Sequence, residues 1–245
     1  MEFVKGSIDD LKSLGIADKS VDIVISNCVI NLTEDKQKVL SEVHRVLKEG
    51  GELFFSDVYA DRRIPKNLQD DKVLWGECLS GALYVEDFRR IMSNVGFPDY
   101  RFTKQHIITV NNKKIEEVVG KIIFYSLNVR AFKIASLEDR CEDYEQTATY
   151  LGTLPYEKEE FELDSSHTFK TNKEVKVCKN TADMLAKTRF AEHFRVTEVG
   201  SHKGLFDCST DCCGGEGCGS TGQKKQVDES KCTTGGCSNN GGGCC

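Results

Sequence analysis

Cysteine is the residue type with the most chemistry to offer in this chain. Its 245 residues include 12 cysteines in two groups. Cys28, Cys78, Cys141 and Cys178 stand singly, whereas Cys208, Cys212, Cys213, Cys218, Cys232, Cys237, Cys244 and Cys245 crowd the C-terminal tail. Met1 opens into a mixed segment without the apolar core of a signal peptide, so this usage reads as metal, metalloid or redox chemistry rather than a secreted disulfide framework. Polarisable thiolates suit soft ions. The tail is rich in Gly, Ser and Thr and has almost no large apolar side chain after Phe206. It cannot bury a core and is expected to be disordered. Its irregular cysteine spacing differs from the paired spacing of ordered zinc modules. Soft-ion binding, disulfide exchange, a folded zinc unit and a purely solubilising role all stay open for it.

The single cysteines take their meaning from the elements around them. Val21 to Asn27 is a β-branched apolar run that reads as a buried strand of a parallel sheet. Thr33-Glu34-Asp35 opens a helix with Val39, Leu40, Val43, Val46 and Leu47 at helical spacing, and Gly50-Gly51 ends it. Glu52 to Val58 is a second strand. The three elements form a βαβ crossover, which sets the class as α/β. Cys28 then lies just past the carboxyl end of a parallel strand, where open α/β sheets bind ligands. The competing reading is a small buried hydrophobe. Cys78 falls at the end of a helix expected over Asp70 to Leu79. A further helix spans Val85 to Val95, with Phe88, Ile91, Met92 and Val95 on one face and Gly96 after it. Tyr100 to Val110 and Lys121 to Lys133 read as strands around a short helix at Ile115 to Val119, and Met1 to Lys5 reads as another strand. Beyond Ser136 the texture changes. Short strands are expected in Glu145 to Tyr150 and Glu160 to Val177, then a helix over Thr181 to Phe190 with Thr181 as its cap. A small α+β domain is placed at 136–206, ahead of the tail at 207–245.

Composition limits the partners. Thirty-three Lys+Arg against 39 Asp+Glu give a net charge of −6. Without a basic block the chain is not expected to bind nucleic acid. No stretch approaches the roughly 20 apolar residues of a membrane span, so no membrane partner is expected and the location is read as cytoplasmic. His44, in the amphipathic helix expected after Asp35, reads as a plain surface residue.

Three segments carry a family resemblance. Asp22 to Leu32, with Ser26-Asn27-Cys28-Val29-Ile30-Asn31-Leu32 at its centre, Glu42 to Asp57, and Val73 to Tyr84, with Trp75-Gly76-Glu77-Cys78, closely resemble the arsenite methyltransferases. These are class I S-adenosylmethionine-dependent methyltransferases, and the similarity covers about residues 1–200. It implies a partial, Rossmann-like methyltransferase sheet in 1–135, with Met1 to Lys5 as the third strand of the family's sheet and Val21 to Ser26 as the fourth. The glycine-rich first strand–loop–helix has no counterpart here, so the chain resembles the C-terminal two-thirds of such an enzyme.

By the same resemblance Cys28 and Cys78 are the catalytic, arsenic-binding cysteines. Ile8 lies against the adenine of S-adenosylmethionine, Asp9 near its exocyclic amine, and Asn27 toward its methionine end. For Asp9 and its neighbour Asp10 the alternative is a solvated helix start. Trp75 and Tyr59 either line the arsenic site or simply pack, and Cys141 and Cys178 read as structural. The implied reaction moves a methyl group from S-adenosylmethionine to a small-molecule substrate, thiol-bound trivalent arsenic, with glutathione or thioredoxin supplying thiols and reducing equivalents. Two alternatives stand beside it. One is a non-catalytic, thiol-rich arsenic or heavy-metal binder on a methyltransferase remnant, with the tail doing the binding. The other is a partial sequence with no independent stability.

Overall fold

A computed structural model describes residues 1–207; the tail read above as disordered lies outside them, apart from its first residue. The first strand, β1 (Val21–Asn27), is followed by a 3-10 turn at Ile30–Leu32 and by α1 (Lys36–Val46). Then come β2 (Leu47–Ala60), α2 (Lys66–Gln69), α3 (Lys72–Gly76), β3 (Leu83–Tyr84), α4 (Val85–Asn94), β4 (Tyr100–Ile108), α5 (Lys113–Val119) and β5 (Phe124–Phe132). These strands form one mixed sheet of order β1-β2-β5-β4, with β3 pairing β2. β1 and β3 run parallel to β2, whereas β5 is antiparallel to both β2 and β4. The crossover expected from Val21 to Val58 is thus present, and the class is α/β. One core lies between this sheet and the inner faces of α1 and α4, built on Leu40, Leu47, Phe55, Phe88 and Met92.

The second half adds β6 (Thr147–Tyr150), β7 (Glu160–Asp164), β8 (His167–Lys170), β9 (Glu174–Lys176), α6 (Lys179–Ala186) and β10 (Phe194–Val196). They make a three-stranded sheet, β10-β6-β9, and the β7–β8 hairpin. Between them lies a core of Tyr150, Phe161, Phe169, Leu185 and Phe190. No helix among the described residues is long and apolar enough to cross a membrane.

Several expectations need correction. Met1–Lys5 is not a strand; Met1 and Phe3 are exposed, and no neighbour pairs with the segment. β1 is an edge strand rather than a buried one. It has β2 on one side only, and Ile23 and Ile25 remain 42% and 75% exposed. α1 begins after Asp35, whose carboxylate accepts from Lys38 N at 2.9 Å, and ends at Val46. Gly50-Gly51 does not end the helix but lies inside β2, with Gly50 at φ +77° and no room for a Cβ beside the Lys187 carbonyl. The helix expected over Asp70 to Leu79 is shorter than expected: α3 covers only Lys72–Gly76, started by the Asp71 side chain, which accepts from Val73 N and Leu74 N. The cap of α6 is Cys178, not Thr181: its sulfur accepts from Thr181 N at 3.5 Å.

Candidate functional site

The site begins where β1 runs out. Cys28 leaves the strand at φ +54°, in the left-handed region, and the chain then tightens into the 3-10 turn. Its amide donates to the Ser56 carbonyl at 2.9 Å, so the loop is moored to β2. Asn31, 2% exposed, adds two further ties. Its backbone N–H donates to Asp57 Oδ2 at 3.1 Å, and its side-chain amide donates to the Val58 carbonyl. Asp57, 1% exposed on β2, also accepts from Val58 N at 2.9 Å.

Cys78 arrives from the other side. Past α3 it sits at φ +59°; its amide donates to the Trp75 carbonyl at 3.0 Å and the Leu79 amide to the Leu74 carbonyl at 2.9 Å. That pair of bonds closes a helix end of the Schellman type, at whose left-handed position glycine is usual. The Cys78 sulfur lies 4.0 Å from the Cys28 carbonyl oxygen, so two cysteines fifty residues apart in the chain meet. The Cys28 sulfur lies 3.7 Å from Asn27 Oδ1. Cys28 is exposed and Cys78 partly so. Desolvation pushes both thiols above their ordinary range, and the Asp57 carboxylate adds to the effect. Burial raises Asp57 itself, against the pull of its backbone N–H donors and of Lys36.

The other candidate residues fall as follows. Ile8 is half-buried and packs against the main core. Asp9 accepts from the Ser7 hydroxyl and pairs with Lys38 at 3.2 Å, which holds its carboxyl below the usual range. Asn27 is exposed at the end of β1. Tyr59 is a packing residue, 2% exposed with its ring 4.8 Å from Phe88, whereas Trp75 keeps 37% exposure one turn before Cys78. Cys141 and Cys178 are both buried. His44 is not a plain surface residue: its ring meets Phe97 edge-on at 5.0 Å and covers Gly96. Among the described residues no three His, Cys, Asp or Glu side chains converge in a metal-binding group.

Asn31, Asp57 and Gly81 join the site without having been singled out from the sequence. Asn31 stood inside the quoted motif, but the signal of a buried amide is not in its residue type. Gly81, three residues past Cys78, would carry a Cβ into the Asn31 carbonyl.

Residues 1–96 match the family model for a methyltransferase domain, and residues 143–245 match the model for the arsenite methyltransferase C-terminal domain. The chain is 46% identical over 220 residues to an arsenite methyltransferase of Aquipseudomonas alcaligenes, covering 89% of this chain and 61% of that protein. It is also 46% identical over 199 residues to the arsenite methyltransferase of Mus musculus, covering 80% of this chain and 52% of that one. The chain therefore spans only about half to three-fifths of the length of these curated relatives. It superimposes with a TM-score of 0.81 on the crystal structure of CrArsM, an arsenic(III) S-adenosylmethionine methyltransferase from Chlamydomonas reinhardtii. There the identity is 46%, over 84% of this chain and 69% of that one.

Proposed function

The chain belongs to the arsenite methyltransferase family, and from that premise we propose that Cys28 and Cys78 are the thiols through which it grips trivalent arsenic. The protein as a whole would then move a methyl group from S-adenosylmethionine to thiol-bound arsenite. The observation that carries the reading is the approach of the Cys78 sulfur to within 4.0 Å of the Cys28 carbonyl oxygen at the carboxyl end of β1. Each thiol displaces one oxygen ligand of arsenite: an S–As bond forms, an As–O bond breaks, and the departing hydroxide leaves with the thiol proton as water. The arsenic keeps its lone pair. That pair is the nucleophile, and no general base is needed to free it.

The residues present fit the methyl donor in part. Ile8 and Asp9 lie side by side, both half-buried, before β1, and Asn27 is exposed at its end. An apolar face, a carboxylate acceptor and an amide are the groups an adenine ring, its amine and an amino-acid end call for. S-adenosylmethionine supplies an electrophilic sulfonium methyl when bound. This chain's contribution is then to hold its two ends through Ile8, Asp9 and Asn27 and to set the arsenic with its lone pair facing the methyl carbon. The proposal assigns that work to 1–135, a supporting α+β unit to 136–206, and an accessory soft-ion role to the thiol-rich 207–245. It also gives glutathione or thioredoxin the parts of thiol donor and reductant, in the cytoplasm.

Arsenite titration separates this from the tail-centred alternative. Replacing Cys28 and Cys78 by serine is expected to remove the tightest site, while deleting 208–245 leaves it in place. The reverse result refutes the pocket. Three donor contacts hold a cofactor weakly, so calorimetry with S-adenosylmethionine is expected to show little or no heat from this chain alone.

A further inference from the structure

Cys28 and Cys78 sit on separate loops, each tied to β2, the first by the Cys28 amide on the Ser56 carbonyl and the second through β3. Where the two loops press on each other, the close backbone contact is Asn31 against Gly81. Asn31 is anchored on β2 at two points, Asp57 Oδ2 and the Val58 carbonyl, and it lies three residues past Cys28. Gly81 lies three residues past Cys78, and its Cα approaches the Asn31 carbonyl so closely that a Cβ would overlap that oxygen. Asn31 and Ser80 are 2% and 4% exposed, so the junction is packed and leaves no slack. A backbone carbonyl held by two anchors cannot step aside as a flexible side chain would.

Building on the arsenic-gripping role proposed above, we propose that Asn31 and Gly81 are positioning residues that set the separation of the two thiols, so that one arsenic atom is held by both. Chelation depends on that separation, because the second thiol acts at a high effective concentration only while it stays within reach of the first. Any side chain at position 81 pushes the Cys78 turn away from the Cys28 loop. Loss of the Asn31 amide frees the loop from Val58. In either case each cysteine keeps its own chemistry while the pair loses its joint one.

The test uses the full-length chain with the eight cysteines of 208–245 replaced by serine, and phenylarsine oxide as the probe. This arsenical takes two thiols: two S–As bonds form, and its oxygen leaves with the two thiol protons as water. Gly81→Ala and Asn31→Ser are each expected to weaken probe binding by roughly a hundredfold, the order of advantage a tethered second contact gives. Alkylation of Cys28 and Cys78 singly by iodoacetamide is expected to stay within about twofold, which a general loss of folding would not allow. Parental probe affinity in both variants overturns the positioning role, and so does failure of both to unfold cooperatively, since the residues would then serve the fold at large. If instead Cys28→Ser with Cys78→Ser binds the probe as tightly as the parent, the arsenic-gripping role itself has failed, whatever the other two variants do.

Discussion

Cys78 occupies a position that backbone physics reserves for glycine. A left-handed residue with a Cβ costs on the order of 1 kcal/mol, and Cys28 carries the same conformation on the facing loop. Two strained non-glycine residues side by side mark a place where side-chain chemistry has outweighed local stability. The comparison of Cys78→Gly with Cys78→Ala isolates the strain, because both variants lose the sulfur but only glycine relaxes the backbone. Cys78→Gly is expected to be the more stable by about 1 kcal/mol in urea unfolding, and neither binds a two-thiol arsenical tightly. Equal stabilities refute the strain. The sequence singled out both cysteines as candidates through their types and flanking motifs. Their left-handed backbone was not legible, since neither Cys28 nor Cys78 is glycine or asparagine, the residues that announce it. Asn31 and Gly81 escaped for another reason: their contact joins loops fifty residues apart and leaves no local pattern.

At the scale of elements, periodicity served where packing is one-sided. Val39, Leu40, Val43 and Val46 are all buried on α1, and Phe88 and Met92 on α4, as their spacing implies. It misled in β1, because an apolar β-branched run looks the same whether or not a neighbour covers both sides. It overreached at Asp70 to Leu79, where the helix capped by Asp71 runs only from Lys72 to Gly76. His44 shows how an element can hide a titrating group. Burial, with Lys133 nearby, lowers its imidazole pKa below the ordinary value of about 6.5. Lys133 itself donates to the His44 and Leu47 carbonyls, bracing the exit from α1. Between the lowered folded value and about 6.5 the unfolded chain binds the extra proton, so stability is complete above about 6.5 and falls as the pH drops below it. Urea unfolding between about pH 5 and 8 should therefore show a smaller loss at the acid end in His44→Gln than in the parent. Parallel curves for the two proteins would show that the ring carries no such load.

At the scale of the whole molecule, the core under α1 and α4 and the core of the second half are joined by a polar seam that no stretch of sequence reveals. Its members come from β4 and the residue before it, from the β7–β8 hairpin and from α6. Arg101, 4% exposed, donates to Asp99 at 2.7 Å and lies 3.5 Å from Asp164. Asn180 donates to the same Asp99 oxygen at 2.9 Å, and the Asp164 carboxylate meets the His167 ring at 2.8 Å. A second bridge is Glu52, which accepts from Arg130 on β5 at 2.8 Å and from Arg189 beyond α6 at 2.7 Å. Buried ion pairs add little net stability over apolar packing, but removing one partner strands the other at a cost of about 3–5 kcal/mol. Arg101→Met therefore strands Asp99, whose carboxyl burial already pushes above its ordinary value. Without the guanidinium that value rises further. The folded state then holds a proton that the unfolded state releases, so stability falls as pH climbs from the unfolded value of about 3.9 toward the raised one. The variant's deficit against the parent should consequently be smaller near pH 5 than near pH 8, in a single cooperative transition at both. Two separated transitions would show that the halves fold independently. A deficit independent of pH would show that Asp99 is not the group left exposed to the loss. Either outcome bears on the proposed arsenic site, because β2 carries both Asp57, beside the loop of Cys28, and Glu52, which bridges to the second half.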